Sequence, residues 1–172
     1  MARYLSLTRI VLTALLLVNI ASAVDAQTFT TFDVPNSTAT IPIAINRSRD
    51  IAGVYDYNSF LRAPANAFLR ERDGTITTFD IAGSPGCSAW AISPSGHIAG
   101  DSIDNSIIGG HLAFVRRPDG TVTTFDVADS HNVLVRAIDP RGQITGNYSN
   151  ATERSLPSMR SRARLQLRTL QP

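Results

Sequence analysis

Short apolar runs separated by turn residues follow one another along the middle of the chain. The clearest set lies at residues 89–92, 97–102, 112–116 and 121–127, with a polar loop between the second and third runs. Pro-Asp-Gly joins the last two runs, and Asp-Gly tolerates the positive φ of a tight hairpin turn. Apolar runs of this length between turn residues are typical of strands. The pattern predicts four antiparallel strands, and it gives no helical periodicity after residue 26.

The four-strand pattern recurs at intervals of 46 or 47 residues. Thr-Phe-Asp stands at residues 31–33, 78–80 and 124–126, and Ala-Ile stands at residues 44–45, 91–92 and 137–138. Gly53, Gly100 and Gly146 keep the same register. Four short strands in about 46 residues match one β-propeller blade in size. We therefore expect an all-β fold of tandem four-stranded antiparallel units, an incomplete β-propeller-like repeat array.

The number of copies is too small for a closed ring. The sequence predicts a lone fourth strand at residues 29–34, full units at about 41–81 and 88–127, and half a unit at about 134–149. That is about two and a half blades, whereas closed propellers have about four to eight. Open blade faces and strand edges favour association, so self-association through these faces is expected.

The two ends of the chain differ from the repeats. Residues 1–26 read as a signal peptide, with Arg3 and Arg9, an apolar run at residues 10–20 and small residues around two cleavage sites, after Ala23 or after Ala26. Residues 27–150 form the predicted β-repeat domain, and residues 151–172 a basic, disordered tail. A frameshifted or truncated end and an anion-binding arm are the other interpretations of the tail. The leader predicts a secreted or periplasmic protein without a transmembrane segment, because its apolar run is shorter than the roughly 20 residues of a membrane span.

Charge argues against nucleic-acid binding. The sequence pI is about 9.1, but residues 27–150 carry nine Arg and no Lys against twelve Asp and Glu. The excess of basic residues lies in the leader and the tail. A mildly acidic repeat domain offers no surface for a phosphate backbone, so no nucleic-acid partner is expected.

The motifs resemble the HAF family of extracellular repeats, named for a His-Ala-Phe signature. Here the signature stands as His111-Leu112-Ala113-Phe114, with an inserted Leu, and as Asn66-Ala67-Phe68, with Asn in place of His. Ile-Ala-Gly, Asp-Gly and Thr-Phe-Asp also fit the pattern, and the resemblance covers about residues 28–150. It implies an exported repeat protein and carries over no catalytic mechanism.

Residues that recur in every unit are expected to be structural, because a catalytic residue is needed once per site. Asp33, Asp80 and Asp126 are therefore expected to end the fourth strand by bonding nearby backbone amides. The unrepeated candidates for chemistry are His97, His111, His131, Cys87 and Trp90. The histidines lack metal-ligand spacing, and a single cysteine cannot form an intrachain disulfide, so no metal, cofactor or catalytic residue is predicted.

Loops after the recurrent glycines are rich in oxygen ligands: Asp56, Tyr57 and Asn58, then Asp101, Asp104 and Asn105, then Asn147 and Asn150. They do not match the carboxylate spacing of a calcium loop. Trp90, Tyr55, Tyr57 and Tyr148 offer stacking surfaces for a glycan, a peptide or another cell-surface ligand. The leading interpretation is a non-catalytic binding or structural module. The alternative is an extracellular carbohydrate-active enzyme that uses Asp56, Asp101 or Asp104.

Overall fold

The computed structural model describes residues 27–56, 65–106, 110–150 and 165–167. Within these ranges the chain is all-β, which confirms the fold class at that level, and it has no helix that could cross a membrane. The chain divides into two compact units, Met1–Phe32 and Asp33–Pro172, and every strand belongs to the second. The predicted signal peptide and most of the predicted tail lie outside the described residues.

Eleven strands are found in the described part of the chain. The first repeat contains β1 (Thr40–Ile45), β2 (Ile51–Tyr55), β3 (Asn66–Arg70) and β4 (Ile76–Phe79). The second contains β5 (Cys87–Ile92), β6 (Ile98–Asp104), β7 (Gly110–Arg116) and β8 (Val122–Phe125). The third contains β9 (Ser130–Ile138) and β10 (Ile144–Asn150), followed by β11 (Leu165–Leu167). The four strands predicted between residues 89 and 127 are confirmed as β5–β8.

The strands form two sheets. The first repeat is an antiparallel sheet in chain order, β1-β2-β3-β4. The second sheet has the order β11-β10-β9-β7-β6-β5, with β8 also paired to β7. Its pairings are antiparallel except at one point, where β9 joins β7 through the parallel pair His111 and Asn132. Each of the first two repeats is therefore an antiparallel meander of four strands.

The predicted strand at residues 29–34 is wrong, since residues 27–34 form no strand. Both β4 and β8 pair with a strand that contains Ala-Phe and precedes them, namely β3 and β7. No Ala-Phe segment precedes residue 29 in the sequence. The Thr-Phe-Asp segment at residues 31–33 therefore does not follow an Ala-Phe strand of the kind that β4 and β8 pair with.

One backbone feature recurs in all three repeats. The β1–β2, β5–β6 and β9–β10 hairpins each contain a bulge, where the register shifts past Ile43, Trp90 and Arg136. The recurrent glycines lie opposite these bulges. A Cβ atom there would overlap a backbone carbonyl oxygen of the partner strand, that of Ile41 at Gly53, of Ser88 at Gly100 and of Leu134 at Gly146. The spacing found in the sequence therefore reflects a close backbone approach that only glycine allows.

The loops that close these three hairpins also share one conformation. Each begins with a residue whose side-chain oxygen accepts a hydrogen bond from the amide four positions later; these residues are Asn46, Ser93 and Asp139. The fourth residue of each loop has a positive φ, and it is glycine in two of the three, Gly96 and Gly142. In the first repeat this position is Arg49, with φ of 71°. Arg49 thus adopts a conformation that costs a non-glycine residue about 1–2 kcal/mol.

The core consists of two clusters, one between the two sheets and one among strands of the second sheet. One cluster joins Ala52 and Ala67 of the first repeat to Ile98 and Phe114 of the second. A second cluster joins Ala99, Ala113 and Val115 of the second repeat to Val133, Val135 and Ile144 of the third. Because side chains alternate along a strand, β6 and β7 are buried on both faces. The middle repeat therefore contributes to both clusters.

Phe79 at the end of β4 also connects consecutive repeats. Its ring meets Phe114 edge to face, with centroids 6.1 Å apart and planes at 79°. The guanidinium carbon of the buried Arg116 lies 5.0 Å from the centroid of the Phe79 ring. Edge-to-face and cation–π contacts each add about 0.5–1.5 kcal/mol beyond the burial of area. Phe79 belongs to Thr-Phe-Asp, so this motif has a packing role between repeats.

Gly100→Ala is expected to lower the free energy of unfolding by about 3 kcal/mol, because its methyl group would overlap the Ser88 carbonyl and the Phe114 ring. Urea unfolding followed by circular dichroism measures the loss. Gly142→Ala is the matched control, since Gly142 has open space around it and only its φ of 78° opposes a side chain. The control should cost about 1 kcal/mol. Equal losses in the two variants would contradict the close approach.

Arg49→Gly is expected to raise the free energy of unfolding by about 0.5–1 kcal/mol, because the variant relieves the positive φ without removing the backbone bond from the Arg49 amide to the Asn46 carbonyl. The midpoint of urea unfolding checks this gain. Gly96→Ala, at the equivalent position of the second repeat, should have the opposite sign. A loss of stability in Arg49→Gly would show that the arginine side chain contributes more than its backbone strain costs.

Candidate functional site

Three unrepeated polar side chains meet across neighbouring strands of the second repeat. Trp90 lies at the bulge of β5, Asp101 on β6 and His111 on β7. The Asp101 carboxylate accepts a hydrogen bond from Trp90 Nε1 through Oδ1, and its Oδ2 lies 3.0 Å from His111 Nδ1. Asp101 shares its strand face with Ala99, the face that packs against the third repeat. We call this group the Trp90 cluster.

The Trp90 cluster buries its charge and leaves two rings partly exposed. Asp101 is only 4% exposed, whereas Trp90 is 37% exposed and the His111 side chain 32%. A buried carboxylate is costly unless its oxygens are bonded, and here both oxygens have partners. The arrangement holds an indole and an imidazole rigidly at the surface. It does not leave Asp101 free to act on a substrate.

The repeat-equivalent positions show how the cluster arises. The residue that follows the recurrent glycine is Val54 in the first repeat, Asp101 in the second and Asn147 in the third. In the third repeat the bulge residue Arg136 approaches Asn147, with 3.4 Å between Arg136 Nε and Asn147 Oδ1. In both the second and the third repeat, the bulge residue therefore bonds the residue that follows the recurrent glycine. Aligning the repeats column by column would have indicated the Trp90–Asp101 pair from the sequence.

The other two histidines do not join the cluster. His97 lies in the β5–β6 loop, where its Nδ1 is 3.0 Å from Ser95 Oγ. His131 lies on β9, and its Nε2, like Oδ1 of the adjacent Asn132, is buried without a hydrogen-bond partner among the described residues. In the described ranges, no three His, Cys, Asp or Glu side chains are grouped closely enough to hold a metal ion.

The three carboxylates considered for glycoside chemistry have separate hydrogen-bond partners. Asp56 accepts bonds from the amide and the hydroxyl of Thr38, at 2.7 and 3.0 Å. Asp104 accepts bonds from the hydroxyl and the amide of Ser106, which lower its carboxyl pKa. Asp101 and Asp104 are three residues apart on β6, so their side chains leave opposite faces of the sheet.

The remaining loop residues have local roles or lie outside the described part of the chain. Asn105 donates a hydrogen bond to the Gly83 carbonyl at 2.7 Å. Of the three recurrent aspartates, Asp126 follows β8, and its Oδ1 accepts a hydrogen bond from the Val127 amide at 2.7 Å, as expected. Asp80 follows β4, but the expectation is wrong for Asp33, because residues 27–34 form no strand. Tyr57 and Asn58 lie outside the described residues, and Asn150 ends β10.

Among the described stacking candidates, Trp90 has the most accessible ring. Tyr148 packs against the second core cluster, and Tyr55 is partly buried, with a phenol pKa raised mainly by burial. Trp90 is also the single tryptophan of the sequence. A ring that is one-third exposed and fixed by a hydrogen bond has little conformational entropy to lose when a ligand stacks on it.

Cys87 is buried at the start of β5. The residue is 2% exposed, and its Sγ lies 3.6 Å from the Phe79 carbonyl oxygen. Burial raises the pKa of the thiol to about 11. The thiolate is the reactive form of cysteine, so the buried, protonated Cys87 is expected to be unreactive.

A groove of about 240 Å³ separates equivalent loops of the first two repeats. The β1–β2 loop contributes Ser48 and Asp50, and the β5–β6 loop contributes Pro94 and Ser95. Asn46 Nδ2 donates to the Ser93 carbonyl at 3.2 Å and ties the two loops together. Asp50 is already bonded by the Arg72 amide and by Asn46 Nδ2. The groove lies between the first two repeats, and the Asp50 carboxylate in its lining already accepts two hydrogen bonds.

No family model, curated protein or solved structure matches this chain. The Trp90 cluster is therefore interpreted from its own geometry.

Asp101→Ala is expected to lower the free energy of unfolding by about 1–3 kcal/mol, because Trp90 Nε1 and His111 Nδ1 lose their shared partner. Asp101→Asn keeps an acceptor for the indole and should lose less. Urea unfolding gives the stability, and the emission of the single tryptophan reports its altered surroundings. Asp104→Ala is the control, because its bonds to Ser106 are exposed. Equal effects of the two alanine variants would argue against the cluster.

Cys87 is expected to resist alkylation by iodoacetamide in the native protein at pH 8, because its thiol is buried and its raised pKa keeps it protonated. Mass spectrometry should show complete modification only in denaturant. The control is Ser88→Cys in a Cys87→Ala background, which places a thiol on the neighbouring, half-buried position. Rapid modification of native Cys87 would contradict its assignment to the core.

Proposed function

We propose that the protein is an exported, non-catalytic repeat module of β-propeller-like build that binds a ligand at the Trp90 cluster. The observation that carries this proposal is the glycine and bulge pair, which recurs in all three repeats. A blade is a four-stranded antiparallel meander that stacks on its neighbours. The meander order β1-β2-β3-β4 and the apolar cluster between the first and second repeats support this build.

Packing gives the HAF-like motif a physical meaning that supports the same proposal. In His111-Leu112-Ala113-Phe114, the alanine packs toward the third repeat and the phenylalanine toward the first. The histidine forms a hydrogen bond with the Asp101 carboxylate through its Nδ1. Ala67 and Phe68 occupy the same register in the first repeat, opposite Val54 and Gly53. A motif that serves stacking on both faces suits a module made of successive sheets. The apolar leader at residues 10–20 supports export.

The proposed ligand surface is the exposed part of the Trp90 and His111 rings. Sugar rings bind by stacking on a fixed aromatic face while their hydroxyls bond neighbouring polar groups. The His111 imidazole supplies such a group beside the indole. Export places the surface where glycans of cell walls are present. We therefore propose a polysaccharide as the ligand.

The proposal does not extend to catalysis. A glycosidase needs two carboxyl groups about 5–10 Å apart on either side of one bond. Asp101 has both oxygens engaged, and Asp104 leaves the opposite face of β6. No observation therefore favours the carbohydrate-active enzyme over the binding module.

Sedimentation with insoluble chitin and cellulose tests the ligand. The native chain should be retained by at least one of the two polymers, and Trp90→Ala should lose at least ten-fold in affinity, because the stacking face is gone. Tyr148→Phe is the matched control, since Tyr148 packs on the core and should bind like the native chain. Circular dichroism establishes that each variant is folded. Failure of the native chain to bind either polymer, or full binding by Trp90→Ala, would overturn the ligand surface.

A further inference from the structure

The segment at residues 29–34 has the sequence of the fourth strand of a repeat. It reads Phe-Thr-Thr-Phe-Asp-Val, compared with Ile-Thr-Thr-Phe-Asp-Ile at residues 76–81 and Val-Thr-Thr-Phe-Asp-Val at residues 122–127. The two later copies begin with β4 and β8, and each of these strands pairs with the third strand of its own repeat. Residues 29–34 form no strand within the chain, and Phe29 is 85% exposed. The segment therefore has the residues of a fourth strand without a third strand beside it.

The third repeat has the opposite deficiency. In every repeat, the third strand places one apolar residue opposite the recurrent glycine: Phe68 opposite Gly53, Phe114 opposite Gly100, and Leu165 opposite Gly146. By this register, β11 occupies the position of the third strand in the third repeat. It is the last strand of its sheet, and in the described part of the chain no strand pairs with its outer edge. Such an edge is a template for pairing with another chain.

The segment and the edge of β11 lie at opposite ends of the described strands. Val34 is buried, and its amide donates a hydrogen bond to Thr40 Oγ1 at 2.9 Å, so the chain passes from the segment directly into the first repeat. The first repeat packs on Cys87 and Ala89 of β5. Because β5 and β11 are the two ends of the second sheet, the segment of one copy is placed to meet β11 of another copy.

The number of repeats favours two copies. Each chain has three repeats in the structure, so two chains bring together six, which lies within the roughly four to eight blades of closed propellers. Three chains would exceed that range. Reciprocal exchange of an identical element between two chains is a low-cost route to a dimer, and it leaves neither a fourth-strand segment nor a β11 edge unused.

We propose that residues 29–34 of one copy add to β11 of a second copy as its fourth strand, and that the second copy returns the same strand. The register follows from the first two repeats, where Ile76 lies opposite Arg70 and Val122 lies opposite Arg116. The equivalent pair in the dimer is Phe29 opposite Leu167. Strand addition gives affinity through main-chain hydrogen bonds. The proposal rests on the repeat build proposed above and is independent of the ligand at the Trp90 cluster.

A disulfide at the proposed register tests the exchange. In a Cys87→Ala background, Phe29→Cys is combined with Leu167→Cys in one chain, and oxidation should link two chains into a covalent dimer. Opposite residues of antiparallel strands have Cα atoms about 4.5–5.5 Å apart, within the reach of a disulfide. Thr30→Cys with Leu167→Cys is the matched control. It should give at least about ten-fold less covalent dimer, because a shift of one residue directs the two side chains to opposite faces.

Light scattering gives the second readout. The natural chain should be a dimer, and the double variant Thr30→Pro, Thr31→Pro should have a dissociation constant raised by at least about ten-fold. Hydrogen bonds to one neighbour alternate along a strand, so proline at two consecutive positions removes an amide that bonds β11. The control is Gln27→Pro, Thr28→Pro, which lies before the segment and should leave the dimer unchanged.

The equivalent cysteine pair in the first repeat separates failure of the exchange from failure of the repeat build. Ile76→Cys with Arg70→Cys should form a disulfide within one chain. If this pair links while the chain with Phe29→Cys and Leu167→Cys forms no covalent dimer, the exchanged strand is wrong and the repeat build stands. A disulfide within a single chain at the latter pair, or a dimer that the prolines do not weaken, would also overturn the exchange. If neither pair links, the repeat build is wrong, and the proposed function falls with it.

Discussion

The close approach of a glycine to a carbonyl oxygen across a bulged hairpin is the constraint on which the rest of this structure depends. At Gly100 the missing side chain leaves room for the Ser88 carbonyl and for the Phe114 ring together. The phenylalanine fixes the third strand against the hairpin, and its other contacts reach Phe79 of the preceding repeat. A side chain at Gly100 would therefore disturb the hairpin, the third strand and the interface between repeats. Gly53 and Phe68 repeat this relation in the first repeat.

Regular spacing made much of the fold predictable from the sequence. The glycines, Ala-Phe and the turn residues locate β5–β8 and their register, because each is required by local geometry within a repeat. The strand predicted at residues 29–34 failed because strand formation depends on a neighbour, which a local motif does not encode. In contrast, β11 is a strand that no motif predicts. Its Leu165 lies opposite Gly146, as Phe114 lies opposite Gly100. That segment carries no repeat motif, so its pairing with β10 could not be predicted from the spacing of the motifs.

The Trp90 cluster was only partly predictable. Trp90 and His111 were singled out because they do not recur, and Asp101 because it lies in an oxygen-rich loop. Their meeting depends on three strands, and the bulge turns Trp90 toward β6. In the first repeat the residue equivalent to Asp101 is the buried Val54, whose apolar side chain makes no hydrogen bonds. Asp101 instead needs Trp90 and His111 at the positions where each can bond its carboxylate. The second repeat therefore has directional hydrogen bonds where the first repeat has apolar packing. A buried carboxylate of this kind is weak evidence for stability, because the cost of its desolvation offsets the hydrogen bonds that it accepts.

Burial on both faces gives β6 and β7 a distinct place in the dynamics of the chain. Separation of the first repeat leaves their other face packed on the third, and separation of the third leaves them packed on the first. In stacked repeats, local opening proceeds from the ends, with free energies set by the interfaces that break. The amide hydrogens of Ala99 and Phe114 are then released to solvent only when both interfaces are lost. Slow hydrogen exchange in this one hairpin would therefore report the cooperativity between the two core clusters.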